Sequence, residues 1–166
     1  MNFSALMSIY NQTTADELND TLTSISNQTL LPSELVVVFD GPVSPPTRQE
    51  INNFSSLLPT TIVSFSNNRG LGLALRDGLL KCTQQFVARI DSDDRSIPDR
   101  FAIQNEFINM NPTVSVLGGA LRELHQIANS RTWAIRRCPI INENESLSIR
   151  WRNPLNHPTV IFNKTH

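Results

Sequence analysis

The amino-acid sequence predicts an α/β fold built on a doubly wound, mostly parallel sheet. Three observations carry that prediction. Short apolar runs alternate with helix-period stripes along the first 120 residues. One run, Leu35-Val36-Val37-Val38-Phe39, is unbroken and too short for a helix, which suits a strand buried on both faces. The chain has 166 residues, 39% hydrophobic and 17% charged, enough for one domain with a sizeable core and within the ordinary globular range.

Each element follows in order. Ala5-Leu6-Met7-Ser8-Ile9 reads as the first strand. Ala15, Leu18, Leu22 and Ile25 then recur at spacings of three and four, the stripe of an amphipathic helix. After the buried second strand, Pro42, Pro45 and Pro46 force a loop, and Ile51, Phe54 and Leu57 form a second helical stripe. Thr61-Ile62-Val63-Ser64-Phe65 is the third strand. Leu71, Leu75, Leu79 and Cys82 mark a third helix, with Gly78 as a weak position inside it. Phe86-Val87-Ala88-Arg89-Ile90 is the fourth strand. Ser96-Ile97-Pro98-Asp99 reads as a capped helix start, with Ser96 as N-cap and Pro98 in the first turn. Ile103, Phe107 and Met110 are that helix's expected buried stripe, and Asn111-Pro112 its stop.

Val114 to Leu117 reads as a fifth strand, broken by Gly118-Gly119. Beyond it, His125 to Arg137 reads as an extended or hairpin segment, Asn142 to Trp151 as helical, and Thr159 to Phe162 as a last strand. Without repeats, low-complexity segments or long linkers, residues 1–166 are expected to form a single domain. The alternating series over the first 120 residues predicts the doubly wound sheet.

Composition excludes some functions. A net charge of −1 argues against a protein that lives on nucleic-acid phosphates. No apolar run approaches the ~20 residues of a membrane span. The segment Met1-Asn2-Phe3-Ser4-Ala5-Leu6 has no basic region before its apolar stretch, so no secretory signal is expected. Cys82 and Cys138 lie far apart in no metal spacing and read as free thiols of a reducing, cytoplasmic compartment. The charge is also split. Residues 1–120 hold 7 basic and 12 acidic residues, net −5, whereas residues 121–166 hold 7 basic and 3 acidic, net +4. An acidic body with a basic tail can face a cation on one side and an anion on the other, although a short tail also reaches such a bias by chance.

Open α/β sheets bind ligands outside the carboxyl ends of their strands. Those ends here carry Tyr10 and Asn11, then Asp40 and Gly41, then Asn67-Asn68-Arg69-Gly70, then Asp91-Ser92-Asp93-Asp94. The last is the sharpest signal, because three carboxylates within four residues repel one another unless a cation lies between them. Mg²⁺ or Mn²⁺ commonly bridges one or two such carboxylates to a diphosphate. The plainer reading is a solvated loop that favours the dipole of the following helix. A calcium-binding helix–loop–helix motif fits poorly, since Arg95 and Ser96 stand where an oxygen ligand and a glycine are needed.

Ser4-Ala5-Leu6-Met7-Ser8-Ile9-Tyr10-Asn11, the strand ending in Asp40-Gly41, and Asn68-Arg69-Gly70-Leu71-Gly72-Leu73-Ala74-Leu75 resemble motifs of the family 2 inverting glycosyltransferases. Ala88-Arg89-Ile90-Asp91-Ser92-Asp93-Asp94 with Pro98-Asp99-Arg100-Phe101 resembles their metal-binding Asp-x-Asp segment. Gly118-Gly119 and Asn156-His157-Pro158-Thr159-Val160-Ile161-Phe162 are similar to the bacterial capsule and lipopolysaccharide members. The resemblance runs nearly the whole chain in the expected order. It implies a Rossmann-like fold of the glycosyltransferase-A type, incomplete at its C-terminal part. Residues 1–120 would be the nucleotide-binding half, and 121–166 the start of the acceptor-side half.

The resemblance also implies roles. The segment from Ser8 to Tyr10 would hold the nucleotide base, with Tyr10 against a uracil ring, and Asp40 would accept a hydrogen bond from the base. Arg69 would lie close to the nucleotide, Asp91 near the ribose, and Asp93 would ligate the Mg²⁺ or Mn²⁺ that bridges the diphosphate. The implied reaction moves a sugar from a nucleotide-diphosphate-sugar donor, a UDP-sugar, to a glycan or polyprenyl-linked acceptor of bacterial surface polysaccharide. It would proceed with inversion, in the cytoplasm, with peripheral association at the inner membrane face and without nucleic acid.

The sequence departs from the family in two places. Phe39 stands where the family often has a second carboxylate before Asp40. The family's general base is an Asp beyond the region matched by His157-Pro158, and no acidic residue follows Glu145. The catalytic base is therefore expected beyond His166, in a longer parent chain, or else the chain is a short nucleotide-binding module without transfer activity. An acidic-site hydrolase or nucleotidyltransferase on a similar sheet is a third reading. His157 suits acid–base chemistry by its ordinary pKa, yet Asn156-His157-Pro158 reads better as a turn before a strand, and His157 as a positioning residue. Arg136-Arg137 and Arg150-Trp151-Arg152 read as a solvated basic face, or as contacts for the donor diphosphate or a lipid-linked acceptor. Trp133 and Trp151 read as buried aromatics or as sugar-stacking platforms.

Overall fold

The computed structural model describes residues 1–127, 130–138 and 153–165. Strands β1 (Phe3–Ile9), β2 (Glu34–Phe39), β3 (Thr60–Ser64) and β4 (Phe86–Asp91) alternate with helices α1 (Ala15–Ser26), α2 (Pro45–Phe54) and α3 (Leu71–Leu79). Helix α4 (Arg100–Met110) and the short β5 (Val116–Leu117) follow. The chain then forms a hairpin of β6 (Leu121–Ile127) and β7 (Ser130–Arg136), and ends in a 3-10 turn (His157–Thr159) and β8 (Ile161–Asn163). The main sheet has the order β3-β2-β1-β4-β8-β5, and β6 pairs only with β7. Strands β1 to β4 are mutually parallel, as the alternation predicts.

All six residues of β2 are buried, and alternate residues feed two core layers. Met7, Ile9, Val37 and Phe39 pack with Leu18, Ile25, Ile51, Phe101 and Ile108 beneath α1, α2 and α4. Leu6, Val36, Val38 and Val87 pack with Ala74 and Cys82 beneath α3. A reciprocal cap starts α1: the Glu17 amide donates to the Thr14 hydroxyl, and the Thr14 amide donates to the Glu17 carboxylate. Gly78 is more than a weak helix position. A β-carbon there would lie 2.6 Å from Val38 Cγ2 and 2.7 Å from Leu6 Cδ1, so glycine lets α3 approach the sheet.

Several expectations are corrected. Helix α2 ends at Phe54, so Leu57 is exposed and Leu58 takes the buried place. In α3, Leu71 is exposed, and Ala74 and Gly78 form the fully buried contact. Ser96 does not cap α4. Its amide donates to Ser24 Oγ and its hydroxyl accepts from Arg100 Nη1, while Gln28 Nε2 donates to the Ile97 carbonyl. Residues 96–99 are thus a loop pinned to the end of α1, and α4 begins at Arg100. Its buried stripe is Phe101, Gln104 and Ile108, not Ile103, Phe107 and Met110, which are exposed. Two bonds orient it: the Phe101 amide donates to Gln28 Oε1, and Gln104 Nε2 donates to the Thr159 carbonyl at 2.7 Å.

The fifth expected strand is cut to two residues and does not neighbour β4. Strand β8 enters between them, antiparallel to both. The His125–Arg137 segment is a hairpin, longer than expected and set off from the sheet. The helix expected at Asn142–Trp151 lies outside the described residues.

Candidate active site

The carboxyl ends of β1, β2 and β4 lie side by side, with Ser8 level with Val38 of β2 and Asp91 of β4. Together with the start of α3 they enclose an open cavity of about 370 Å³, within the range of small-ligand sites. Ser8, Tyr10, Asp40, Asp91 and Asp93 all line it. Tyr10 stands on the rim, 42% exposed, its hydroxyl donating to Gln12 Oε1 at 3.2 Å. An aromatic face beside a polar floor suits a planar base.

Asp40 is almost wholly buried at the end of β2. Its Oδ1 accepts the Arg69 amide at 2.7 Å, and its Oδ2 accepts the Gly70 amide at 2.9 Å. The carboxylate therefore supplies an anion at the start of α3, whose first turn has no side-chain cap of its own. A carboxylate offers about four acceptor positions, so positions remain for a ligand N–H. Gly41, with φ +93°, allows this turn to form. A β-carbon there would lie 2.7 Å from the Asn68 backbone nitrogen.

Arg69 is brought to the cavity's edge only through its backbone. Its guanidinium turns away, to Asp77 Oδ2 at 2.9 Å and over the Phe65 ring at 4.4 Å. Asn68, Gly70 and Leu71 line the cavity instead. The cation at the cavity is Arg89, which sequence reasoning did not single out. Arg89 precedes Asp91 by two residues on β4, and strand alternation sets both on one face, a signal that could have found it. Its Nη2 donates to Asp91 Oδ1 at 2.7 Å, and its Nε is buried without a partner among the described residues. Arg100 Nη2 donates to the Arg89 carbonyl from below. Burial lowers Arg100 to about 10, so it stays charged at neutral pH.

The acidic turn holds three carboxylates, of which Asp91 is paired with Arg89. Burial raises the Asp91 carboxyl above the ordinary range, and Asp93 adds to that, while Arg89 opposes it. Burial raises Asp94 as well, followed by repulsion from Asp93 and Asp91. Thr13 Oγ1, 3.1 Å from Ser92 Oγ, ties the turn to the loop after β1. Among the described residues, no three His, Cys, Asp or Glu side chains converge as a closed metal cage. Hard carboxylate oxygens that repel one another, open to a cavity, fit a Mg²⁺-type ion that takes its remaining ligands from substrate phosphates. Asp93, exposed on the cavity wall, is the residue best set to hold one.

His157 opens the 3-10 turn, is exposed, contacts the Asn153 side-chain amide through Nε2, and does not line the cavity. Trp133 is 56% exposed rather than buried, with Arg122 stacked on its ring at 4.4 Å. Arg136 pairs with Glu123, and Arg137 is solvated. Trp151, Arg150 and Arg152 lie outside the described residues. No helix among the described residues is long and apolar enough to cross a membrane.

Residues 4–163 match the family model described as Glycosyl transferase family 2. The chain is 38% identical over 162 residues to the amylovoran biosynthesis glycosyltransferase AmsE of Erwinia amylovora, covering 98% of this chain and 60% of that protein. It is 32% identical to the UDP-Gal:alpha-D-GlcNAc-diphosphoundecaprenol beta-1,3-galactosyltransferase of Escherichia coli, covering 98% and 58%. The chain thus spans about three fifths of the length of these curated relatives. Among solved structures, S. aureus TarS 1-349 in complex with UDP-GlcNAc superposes with a TM-score of 0.72 at 21% identity, over 98% of this chain and 45% of that one. The mannosyltransferase PcManGT from Pyrobaculum calidifontis, in complex with GDP-Man and Mn2+, gives 0.68 at 17%, over 99% and 45%. These likenesses bear out the glycosyltransferase-A type of fold. By its matched domain and its relatives, the chain belongs to glycosyl transferase family 2.

Proposed function

We propose that the chain is the donor-binding part of a metal-assisted, inverting glycosyltransferase of bacterial surface polysaccharide synthesis that uses a UDP-sugar. The observation that carries this reading is the convergence of Ser8, Tyr10, Asp40, Asp91 and Asp93 on one cavity. Residues 1–120 form the nucleotide-binding half and residues 121–166 begin the acceptor side. Tyr10 stacks on the base, Asp40 takes a base N–H while holding the Asn68–Gly70 turn, and Asp91 accepts from the ribose. Arg69 acts through its backbone, and its side chain braces α3 through Asp77. Asp93 would hold Mg²⁺ or Mn²⁺, which would stabilise the charge on the departing diphosphate. The solved complexes with UDP-GlcNAc and with GDP-Man and Mn2+ on the same fold support a nucleotide-sugar donor and a divalent ion.

The acceptor is a glycan or polyprenyl-linked sugar, in keeping with the name of the Escherichia coli relative. Its hydroxyl attacks the anomeric carbon, the bond to the diphosphate breaks, and a base removes the hydroxyl proton. That base is not assigned to a described residue. The protein works in the cytoplasm at the inner membrane face. Calorimetric titration with UDP, with and without Mn²⁺, tests the donor site. Wild type should bind in a Mn²⁺-dependent manner, and Asp93→Ala should bind at least roughly tenfold more weakly, the scale of a lost charge-assisted ligand. Equal binding by both proteins, or none by either, overturns the reading. Tight binding without sugar transfer would favour a nucleotide-binding module.

A further inference from the structure

The β6–β7 hairpin makes no pairing with the main sheet, and its two faces differ. Pairing of Arg122 with Ile135 and of Leu124 with Trp133 puts these four side chains on one face, which Arg131 shares by strand alternation. Leu124, Trp133 and Ile135 are 45%, 56% and 64% exposed, and Arg122 and Arg131 are exposed beside them. No acidic side chain shares this face among the described residues. On the other face Glu123 is satisfied by Arg136 and His125. An apolar centre flanked by cations of a single sign is unlike a solvated sheet face, on which charges of both signs mix.

We propose that this face is a docking surface for an anionic lipid bilayer. The indole and the two aliphatic side chains enter the headgroup boundary, and the arginines lay their stems along them with guanidinium groups on lipid phosphates. Charge selects this occupant. Residues 121–136 hold Arg122, Arg131 and Arg136 against Glu123 alone, net +2, and residues 1–120 carry net −5, so an anionic surface attracts the hairpin and repels the body. A two-fold pairing of this face with a second copy would instead set like charges together. Strand β5 runs parallel to β4, being separated from it by one antiparallel strand, so the hairpin leaves the sheet at its carboxyl edge, where the cavity opens. Asn156 Nδ2 ties both its ends, donating to the Gly119 and Arg136 carbonyls. The inference rests on the membrane-face part of the proposed function and on the hairpin surface, and stands independently of the donor site.

Co-sedimentation of the 166-residue chain tests it, using vesicles of phosphatidylcholine alone and vesicles that also contain phosphatidylglycerol. Binding should require the anionic lipid and weaken with salt. It should fall roughly tenfold or more in Arg122→Glu/Arg131→Glu and in Trp133→Ser, on the scale of interfacial charge and aromatic contributions. Brominated lipid should quench tryptophan emission in wild type, and Trp133→Ser should lose that quenching. Wild-type melting and wild-type UDP titration in the variants separate this result from misfolding and from the donor site. No binding to anionic vesicles, or binding unchanged in both variants, overturns the proposal. A Trp133-dependent dimer that does not bind vesicles overturns it too, and assigns the face to a second copy.

Discussion

The carboxyl edge of β1, β2 and β4 and the β6–β7 hairpin are built on opposite plans. At the edge, polar groups are buried and interlocked: Asp40 holds two amides of the next turn, and Thr13 holds Ser92. On the hairpin, apolar groups are exposed and polar side chains stack on them, as with Arg122 over Trp133. The difference teaches where each region expects its partner. A preorganised edge with unused acceptors suits a small polar ligand that adds to a finished network. A ribbon unpaired with the main sheet, with exposed tryptophan and arginine, suits a broad surface.

The comparison breaks first at Gly41. Gly41→Ala would force a β-carbon against the Asn68 backbone at a positive φ. It should cost roughly 2–4 kcal/mol of stability and abolish UDP binding, because Asp40, Asn68 and Gly70 move together. Wild-type melting and wild-type UDP affinity in that variant would mean the edge is not preorganised.

A smaller effect is expected at Glu34, at the opposite end of β2. Burial pushes its carboxyl up, but hydrogen bonds from Ser4 and Thr83 outweigh that and hold it below its ordinary value near 4.5. Its folded pKa being depressed, the stabilisation is present above the unfolded value and disappears as pH falls through the folded one. Glu34→Gln should cost about 1–2 kcal/mol at neutral pH, and melting against pH should be flatter in the variant below about pH 4.5. Parallel curves for the two proteins would remove Glu34 from the stability of that end of the sheet.

The gentlest probe is thiol labelling, which changes nothing in the fold. Burial, with Glu34 nearby, pushes the Cys82 thiol up to about 11. Cys138, half-buried beside Gly119, should alkylate well before Cys82 under native conditions, as mass spectrometry of partly labelled protein would show. Equal rates would mean that the sheet opens as readily as the C-terminal part.

Much of the site was legible in the chain because it depends on local rules. Strand ends follow apolar runs, so the amino-acid order alone locates Tyr10, Asp40 and Asp91, and the acidic turn announces itself by repulsion. Arg69 was legible as a position but not as a side chain. Nothing local says that a guanidinium will choose Asp77 and Phe65 over the cavity. Arg89 was hidden inside an apolar run, where a charged residue reads as an interruption until strand alternation aligns it with Asp91. Helix α4 misled because apolar residues surround it. Phe101 and Ile108 compete with Ile103, Phe107 and Met110 for the sheet, and hydrogen bonds from Gln104 and from the Phe101 amide decide the winner.

By itself the sequence determined the parallel half of the sheet, since β1 to β4 and their helices are set by periodicity and by turns only a few residues long. Tertiary structure alone decided that β8 enters between β4 and β5. That pairing joins Ala88 to Ile161 and Leu117 to Ile161, contacts whose energy no local pattern encodes. It also decided which charges face the cavity, because a long side chain takes whichever buried partner the finished fold brings within reach.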